Sequence, residues 1–266
     1  MKNTKIKILL VVLALSFTYL NGCESNDNPQ NPIFNPPSVG KKVLFEFFTN
    51  SGCIPCIPAH AYLDQINSLG GVTTNDTNII ILSFHTTNPY NQDSLYRANV
   101  TQNNARISYY EIFFNPQGRI NGAESGQFST SEWTAKFNSE LSQPVSLSIG
   151  IDKTFDPVAD TGTISAYLLP LSALAATDNV LHVIISESNI QYITAPNGIK
   201  EFDDVMRYMV TGSDGQAVTL AQGQTTTVNV PFTIENTWNP DECYITIFVQ
   251  SVSTKQVYGV ERIKVK

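Results

Sequence analysis

Cys53-Ile54-Pro55-Cys56 is the stretch of this 266-residue chain whose residue types and spacing are best suited to chemistry. Two cysteines three apart on the first turn of a helix can close a small disulfide. The unpaired N–H groups of that turn favour a thiolate on the first cysteine, which lowers its pKa and makes it the attacking group. Pro55 fits such a turn, whose amides have no intrahelical partner. Pro58 lies near enough to the start to bend the helix rather than break it. In an oxidising compartment the same pair also serves as a static disulfide, so exchange and stapling both stand at this point. Zinc would need two more ligands. His60 and His85 are the candidate donors, but His60 is expected on the exposed side of the helix and His85 in the loop near the cysteines, so no metal is assigned.

Other chemistry-bearing residues have plainer readings. Cys243 is expected reduced and buried, as a small hydrophobe. His182, between Leu181 and Val183, reads as a surface or hydrogen-bonded strand residue. Glu201, Asp203 and Asp204 read as a solvated edge rather than a calcium site. The chain carries no nucleophile elbow, P-loop or dinucleotide fingerprint, and no cofactor is expected. The net charge is −7, with no basic stripe, which argues against a nucleic-acid partner.

The elements that must position the cysteine pair follow from hydrophobic patterning. Lys42 to Phe48 is a nearly continuous apolar run, as in a central parallel strand. Ile54 to Asn67 reads as a helix ended by Gly70-Gly71. Asn78 to Phe84 is a second buried strand, and Asp93 to Ser108 a further helix. Glu111 to Phe114 and Gly118 to Gly122 read as short strands around Asn115-Pro116. Thr130 to Leu141 is an amphipathic helix capped by Ser129 or Thr130, with Trp133, Phe137 and Leu141 on one face. From Val145 onward the pattern changes to β-branched or alternating segments separated by turns, which suggests an antiparallel sandwich. The expected fold is an α/β domain over 39–142, followed, after Gln143-Pro144, by an all-β antiparallel sandwich domain over 143–266.

The N-terminus reads as an address. Lys2, Lys5 and Lys7 precede the apolar stretch Ile8 to Leu20, which is short for a bilayer span. Leu20-Asn21-Gly22-Cys23 follows, and the segment resembles a lipoprotein signal peptide. The resemblance implies cleavage after residue 22, acylation of Cys23, and membrane attachment through that lipid. Loss of the three lysines of 1–22 takes the net charge of −7 to about −10. Residues 23–38, rich in Asn and Pro, form an extended tether.

The run Val43-Leu-Phe-Glu-Phe-Phe-Thr-Asn-Ser-Gly-Cys-Ile-Pro-Cys56 resembles the opening strand and CxxC of thioredoxin-like proteins. With Phe202-Asp-Asp-Val-Met-Arg-Tyr208 in a β-rich tail, the chain resembles the outer-membrane-protein-28 family of lipoproteins. The resemblance implies an outer-membrane lipoprotein, facing the periplasm or the cell surface, whose thioredoxin-like domain exchanges with thiols or disulfides of exported proteins. Cys53 would attack, Cys56 would resolve, and Pro116 would be a cis-proline beside the Cys53–Cys56 disulfide. The alternative is a binding lipoprotein that uses the same scaffold with a structural disulfide. Two departures bear on this choice. Gly52 stands where the thioredoxin pattern carries tryptophan. Phe47 stands where it often carries a buried acid, Glu46 being one place out of register and on the opposite face of the strand.

Overall fold

The computed structural model describes residues 40–68 and 78–266. The signal peptide, Cys23, the tether over 23–38 and Gly70-Gly71 lie outside the described residues.

The elements in chain order are β1 (Val43–Thr49), α1 (Ile57–Ser68), β2 (Ile79–His85), α2 (Ser94–Ala98), α3 (Val100–Tyr110), β3 (Gln117–Ile120), β4 (Ala123–Gln127) and α4 (Thr130–Leu141). Then come β5 (Leu147–Asp156), β6 (Thr161–Pro170), β7 (Asn179–Glu187), β8 (Ile190–Gln191), β9 (Glu201–Phe202), β10 (Val205–Met209), β11 (Gln216–Ala217), β12 (Thr226–Thr233), β13 (Cys243–Ser251) and β14 (Val257–Lys264). A single 3-10 turn, Ile54–Cys56, leads into α1.

Nine strands form one mixed sheet in the order β14-β13-β7-β10-β2-β1-β3-β4, with β11 added alongside β7. β1 and β2 run parallel, and β3 and β4 continue the sheet antiparallel. The two apolar runs read as central strands are buried along their whole length on both faces. Their odd residues (Val43, Phe45, Phe47, Ile79, Ile81) pack against Ala59, Tyr62 and Leu63 of α1 and Trp133 and Phe137 of α4. Their even residues (Leu44, Phe48, Ile80, Leu82, Phe84) face Tyr110 of α3 and side chains of β7, β10, β13 and β14.

β10 lies between β7 and β2, parallel to β2 and antiparallel to β7. Strands from both sides of Gln143-Pro144 therefore share one sheet. A three-stranded sheet, β12-β6-β5, faces the β7 and β13 end of the large sheet across a separate apolar core. That core is built from Ile149, Ile164, Leu168 and Phe232 on one side and Leu181, Val183, Ile245 and Ile247 on the other.

Two local expectations change. The helix read over 93–108 is broken at Asn99, whose backbone leaves the helical region and whose side chain caps α3 by accepting from Gln102 N–H. Residues 111–114 form no strand. Glu111 ends α3 in the left-handed region, and Phe113 and Phe114 point to solvent.

Candidate functional site

The cysteine loop is held by side chains that accept and donate at its backbone. β1 ends at Thr49, and Cys53 N–H turns back to donate to the Asn50 carbonyl at 2.9 Å. Asn50 fixes the turn from inside. Its amide donates to the carbonyls of Thr86 (2.7 Å) and Tyr90 (3.1 Å), and its Oδ1 accepts from Gly52 N–H (2.8 Å) and Tyr90 N–H (3.2 Å). A side chain at Gly52 would put Cβ 2.4 Å from Tyr90 Cβ. Glycine is thus required at position 52 by the close approach of the Tyr90 loop.

The disulfide Cys53–Cys56 is closed, with S–S 2.06 Å and Cα–Cα 5.3 Å. Cys53 is 2 % exposed and Cys56 is fully buried, while Ile54 between them is 59 % exposed. Cys53 and Pro55 form one wall of a cleft of about 340 Å³, completed by Thr86 to Pro89, Asn104, Ile107 and Ile112 to Asn115. Phe113, 86 % exposed, and Phe114, 45 % exposed, stand among its lining residues. The Asn115–Pro116 peptide is cis, as is Asn88–Pro89, which the sequence reading missed. Pro116 itself is buried. Its neighbour Asn115 lines the cleft and ties the two proline loops together, donating to Thr86 Oγ1 (2.6 Å) and the Asn88 carbonyl (2.7 Å).

Behind the cysteine loop lie two imidazoles. His85 ends β2 fully buried, with Nδ1 2.7 Å from Asp93 Oδ2. The same Asp93 oxygen accepts from Ser51 N–H at 2.8 Å, and Oδ1 accepts from Leu95 N–H to cap α2. Burial alone would push the Asp93 carboxyl up, but His85 and the two backbone donors outweigh it and hold it below the usual range. His60 is not on an exposed helix face. It turns inward, with Nε2 2.9 Å from Thr49 Oγ1. Burial, with a smaller push from His85, lowers its pKa to about 3. Phe202 covers both rings, 5.6 Å from His60 and 5.5 Å from His85. From the same C-terminal segment, Asn197 N–H donates to the Ser51 carbonyl at 2.9 Å.

Glu46 lies on the α3 face, away from α1, as its register predicts. It is fully buried against Arg106 and Tyr110. The acidic residues Glu201, Asp203 and Asp204 border a small pocket of about 150 Å³ with His60 and Asp64. Partial burial, then Asp203, Asp204 and Glu201 in turn, raise the Asp64 carboxyl to about 6. Among the described residues no group of three His, Cys, Asp or Glu side chains is placed to hold a metal ion. Cys243 is free and buried, and burial, with Glu187 nearby, pushes its thiol up to about 12. His182 is not on the surface, and its Nδ1 has no hydrogen-bond partner. It is buried with its ring stacked on Phe248 at 4.8 Å.

The fold and site define a sheet-rich α/β protein in which a disulfide at a helix start opens onto a cleft. The chain belongs to the family described as outer membrane protein Omp28, which it matches over residues 103–266. That span begins after Cys53 and Cys56 and includes the segments that close over the cysteine loop from behind. No curated protein matches the chain. Among solved structures it is similar to HBP35 of Porphyromonas gingivalis, with a TM-score of 0.72 at 12 % identity, covering 85 % of this chain and 76 % of that one. At that identity the likeness is one of fold. A domain of the outer membrane lipoprotein Omp28 from Porphyromonas gingivalis aligns over 46 % of this chain and 89 % of its own length, at 15 % identity and a TM-score of 0.33.

Proposed function

We propose that the chain is a lipoprotein anchored to the outer membrane through Cys23, and that it acts in thiol–disulfide exchange on exported proteins through Cys53 and Cys56. The observation that carries this reading is the placing of the disulfide. It sits at a helix start, on the wall of an open cleft whose lining includes two exposed phenylalanines and the Asn115 loop. A partner polypeptide could lay apolar side chains against Phe113 and Phe114 while its own sulfur reaches Cys53. The arrangement β2-β1-β3-β4, with β1 and β2 parallel, helices on both faces and the pair directly after β1, supports reading the N-terminal part as thioredoxin-like. The family name and the apolar leader ending at Cys23 support the outer-membrane location.

In the exchange, Cys53 thiolate attacks a partner disulfide and forms the mixed disulfide, releasing one partner thiol. Cys56 then displaces the second, so that the partner leaves reduced and Cys53–Cys56 oxidised; the reverse sequence oxidises a partner dithiol. A second reading, a binding lipoprotein with a structural disulfide, is favoured by the near-complete burial of both cysteines. Redox titration of the full chain in detergent separates the two. A potential between about −120 and −270 mV supports exchange, and one below about −300 mV assigns the pair a structural role.

A further inference from the structure

Resting on the exchange reading, we propose that the cleft beside Cys53 selects its partners by charge. It admits a polypeptide whose residues next to the reactive cysteine are apolar, and it refuses an anionic neighbour most strongly.

The cleft has three walls. Cys53 and Pro55 form the first, the loop 86–89 the second, and Ile107 with the segment 112–115 most of the third. Among the described residues that line it, none is charged. Cys53 is almost fully buried and lines this cleft, so a sulfur bonded to it sits there, with its chain neighbours about 3.8 Å away from Cα to Cα. The volume of about 340 Å³ is at the low end for ligand pockets. The fit is therefore local, to the partner cysteine and the residues beside it.

The polar groups of the walls are engaged with one another. The Thr86 carbonyl accepts from the Asn50 amide at 2.7 Å, Thr86 Oγ1 accepts from the Asn115 amide at 2.6 Å, and the Asn88 carbonyl accepts from Asn115 and from Thr86 Oγ1 at 2.7 and 2.8 Å. Asn104 Oδ1 accepts from the Tyr96 hydroxyl at 3.0 Å. The third wall offers Ile107, Ile112, Phe113 and Phe114 instead. A charged side chain seated here gives up water and meets no counter-charge, whereas an apolar one covers two exposed rings. Around the cleft the charge is negative. Glu111, next to Ile112 in the chain, is exposed outside the lining. The pocket that includes Ile57, one residue after Cys56, is lined by Asp64, Glu201, Asp203 and Asp204. An anion is thus opposed by the acids as well as by the dry walls, while a cation is opposed by the walls alone.

The test uses the full chain in detergent, reduced with dithiothreitol that is then removed. The probes are the symmetrical disulfides of Gly-Phe-Cys-Phe-Gly, Gly-Lys-Cys-Lys-Gly and Gly-Glu-Cys-Glu-Gly, and oxidised glutathione, which carries carboxylates. Cys53 thiolate attacks the probe disulfide, the Cys53–probe bond forms, and one probe thiolate leaves. Cys56, its proton passing to solvent, displaces the second probe thiolate and closes Cys53–Cys56, so the probe gains the two electrons that the pair loses. Each rate constant is divided by that of dithiothreitol with the same probe, which cancels the intrinsic reactivity of the disulfide. The Phe probe should react at least about tenfold faster than the Lys probe, with the Glu probe and glutathione slower still. Phe113→Ser/Phe114→Ser, at two exposed positions, should bring the Phe-to-Glu ratio down about tenfold. Equal normalised rates, a charged probe ahead of the Phe probe, or a ratio unchanged in the double variant overturns the proposal. A reduced chain that exchanges with none of the four probes removes the exchange reading and the selection with it, whereas exchange at equal rates removes the selection alone.

Discussion

Replacing Glu46 by glutamine probes the charge network that joins β1 to α3 and β13. Arg106, fully buried, donates to Glu46 Oε1 from Nε at 2.9 Å and from Nη2 at 2.5 Å, and Tyr110 donates its hydroxyl to Oε2 at 2.6 Å. With Glu46 neutral, the guanidinium keeps only neutral acceptors, among them Gln250 Oε1 at 3.2 Å from both Nη atoms and the Tyr110 hydroxyl at 3.1 Å from Nη2, and the faces of Tyr109 and Tyr110 at 4.8 and 4.7 Å. Removing one partner of a buried pair costs about 3–5 kcal/mol, much of it the unpaired charge left behind. The residual cation–π contacts return about a fifth of that, so a loss of about 3 kcal/mol is expected, or roughly 6–12 °C in Tm for a chain of this size. Urea denaturation followed by far-UV and near-UV circular dichroism measures it. Both probes should shift together, because Gln250 also donates to Tyr110, 140 residues away in sequence. Pairing Glu46→Gln with Arg106→Met removes the orphan charge and should recover part of the loss. A change below about 1 kcal/mol, the value of a solvent-exposed pair, would refute the reasoning.

Two further outcomes follow from single groups. His60 has a folded pKa of about 3 against an ordinary 6.5. The unfolded chain takes up that proton first, so stability falls as pH drops from about 6.5 towards 3, by at most about 5 kcal/mol. In His60→Phe the denaturation midpoint should vary less with pH over that window, and an unchanged slope would clear His60 of the effect. Gly122 has φ +88°, and a Cβ there would lie 1.8 Å from the Lys255 carbonyl oxygen. Gly122→Ala should lower the unfolding free energy by at least about 2 kcal/mol, and a loss under about 0.5 kcal/mol would contradict that close approach.

The strands and helices around the cysteine pair were legible where burial is continuous or periodic. The runs that became β1 and β2 are apolar because both faces are covered, and Trp133 and Phe137 sit on one face of α4 as their spacing predicts. Phe113 and Phe114 misled for a physical reason. They are apolar residues spent on a cleft wall rather than on a core, and hydrophobic pattern cannot tell the two apart. The split at Asn99 had a signal, a second cap residue within a stretch of helix, that periodicity alone overrode. Within the site, the CxxC spacing announced the disulfide. His85 was expected near the cysteines from its place after the second strand, but Asp93, Asn197 and Phe202 did not announce themselves, because what brings such groups together is pairing between segments apart in sequence.

That pairing also bears on where the molecule divides. The composition changes at Gln143-Pro144, yet the large sheet crosses that point. Asp204, just before β10, accepts from Ser83 N–H at its carbonyl at 2.8 Å, and β10 so closes the edge of β2. Without the C-terminal half, β2 would present an unpaired edge, both imidazoles would lose Phe202, and Arg106 would lose Gln250. The cysteine pair belongs to the N-terminal sequence, but the groups that bury and orient its surroundings come from both halves. Its chemistry therefore depends on strands that a reading of the N-terminal motif leaves out.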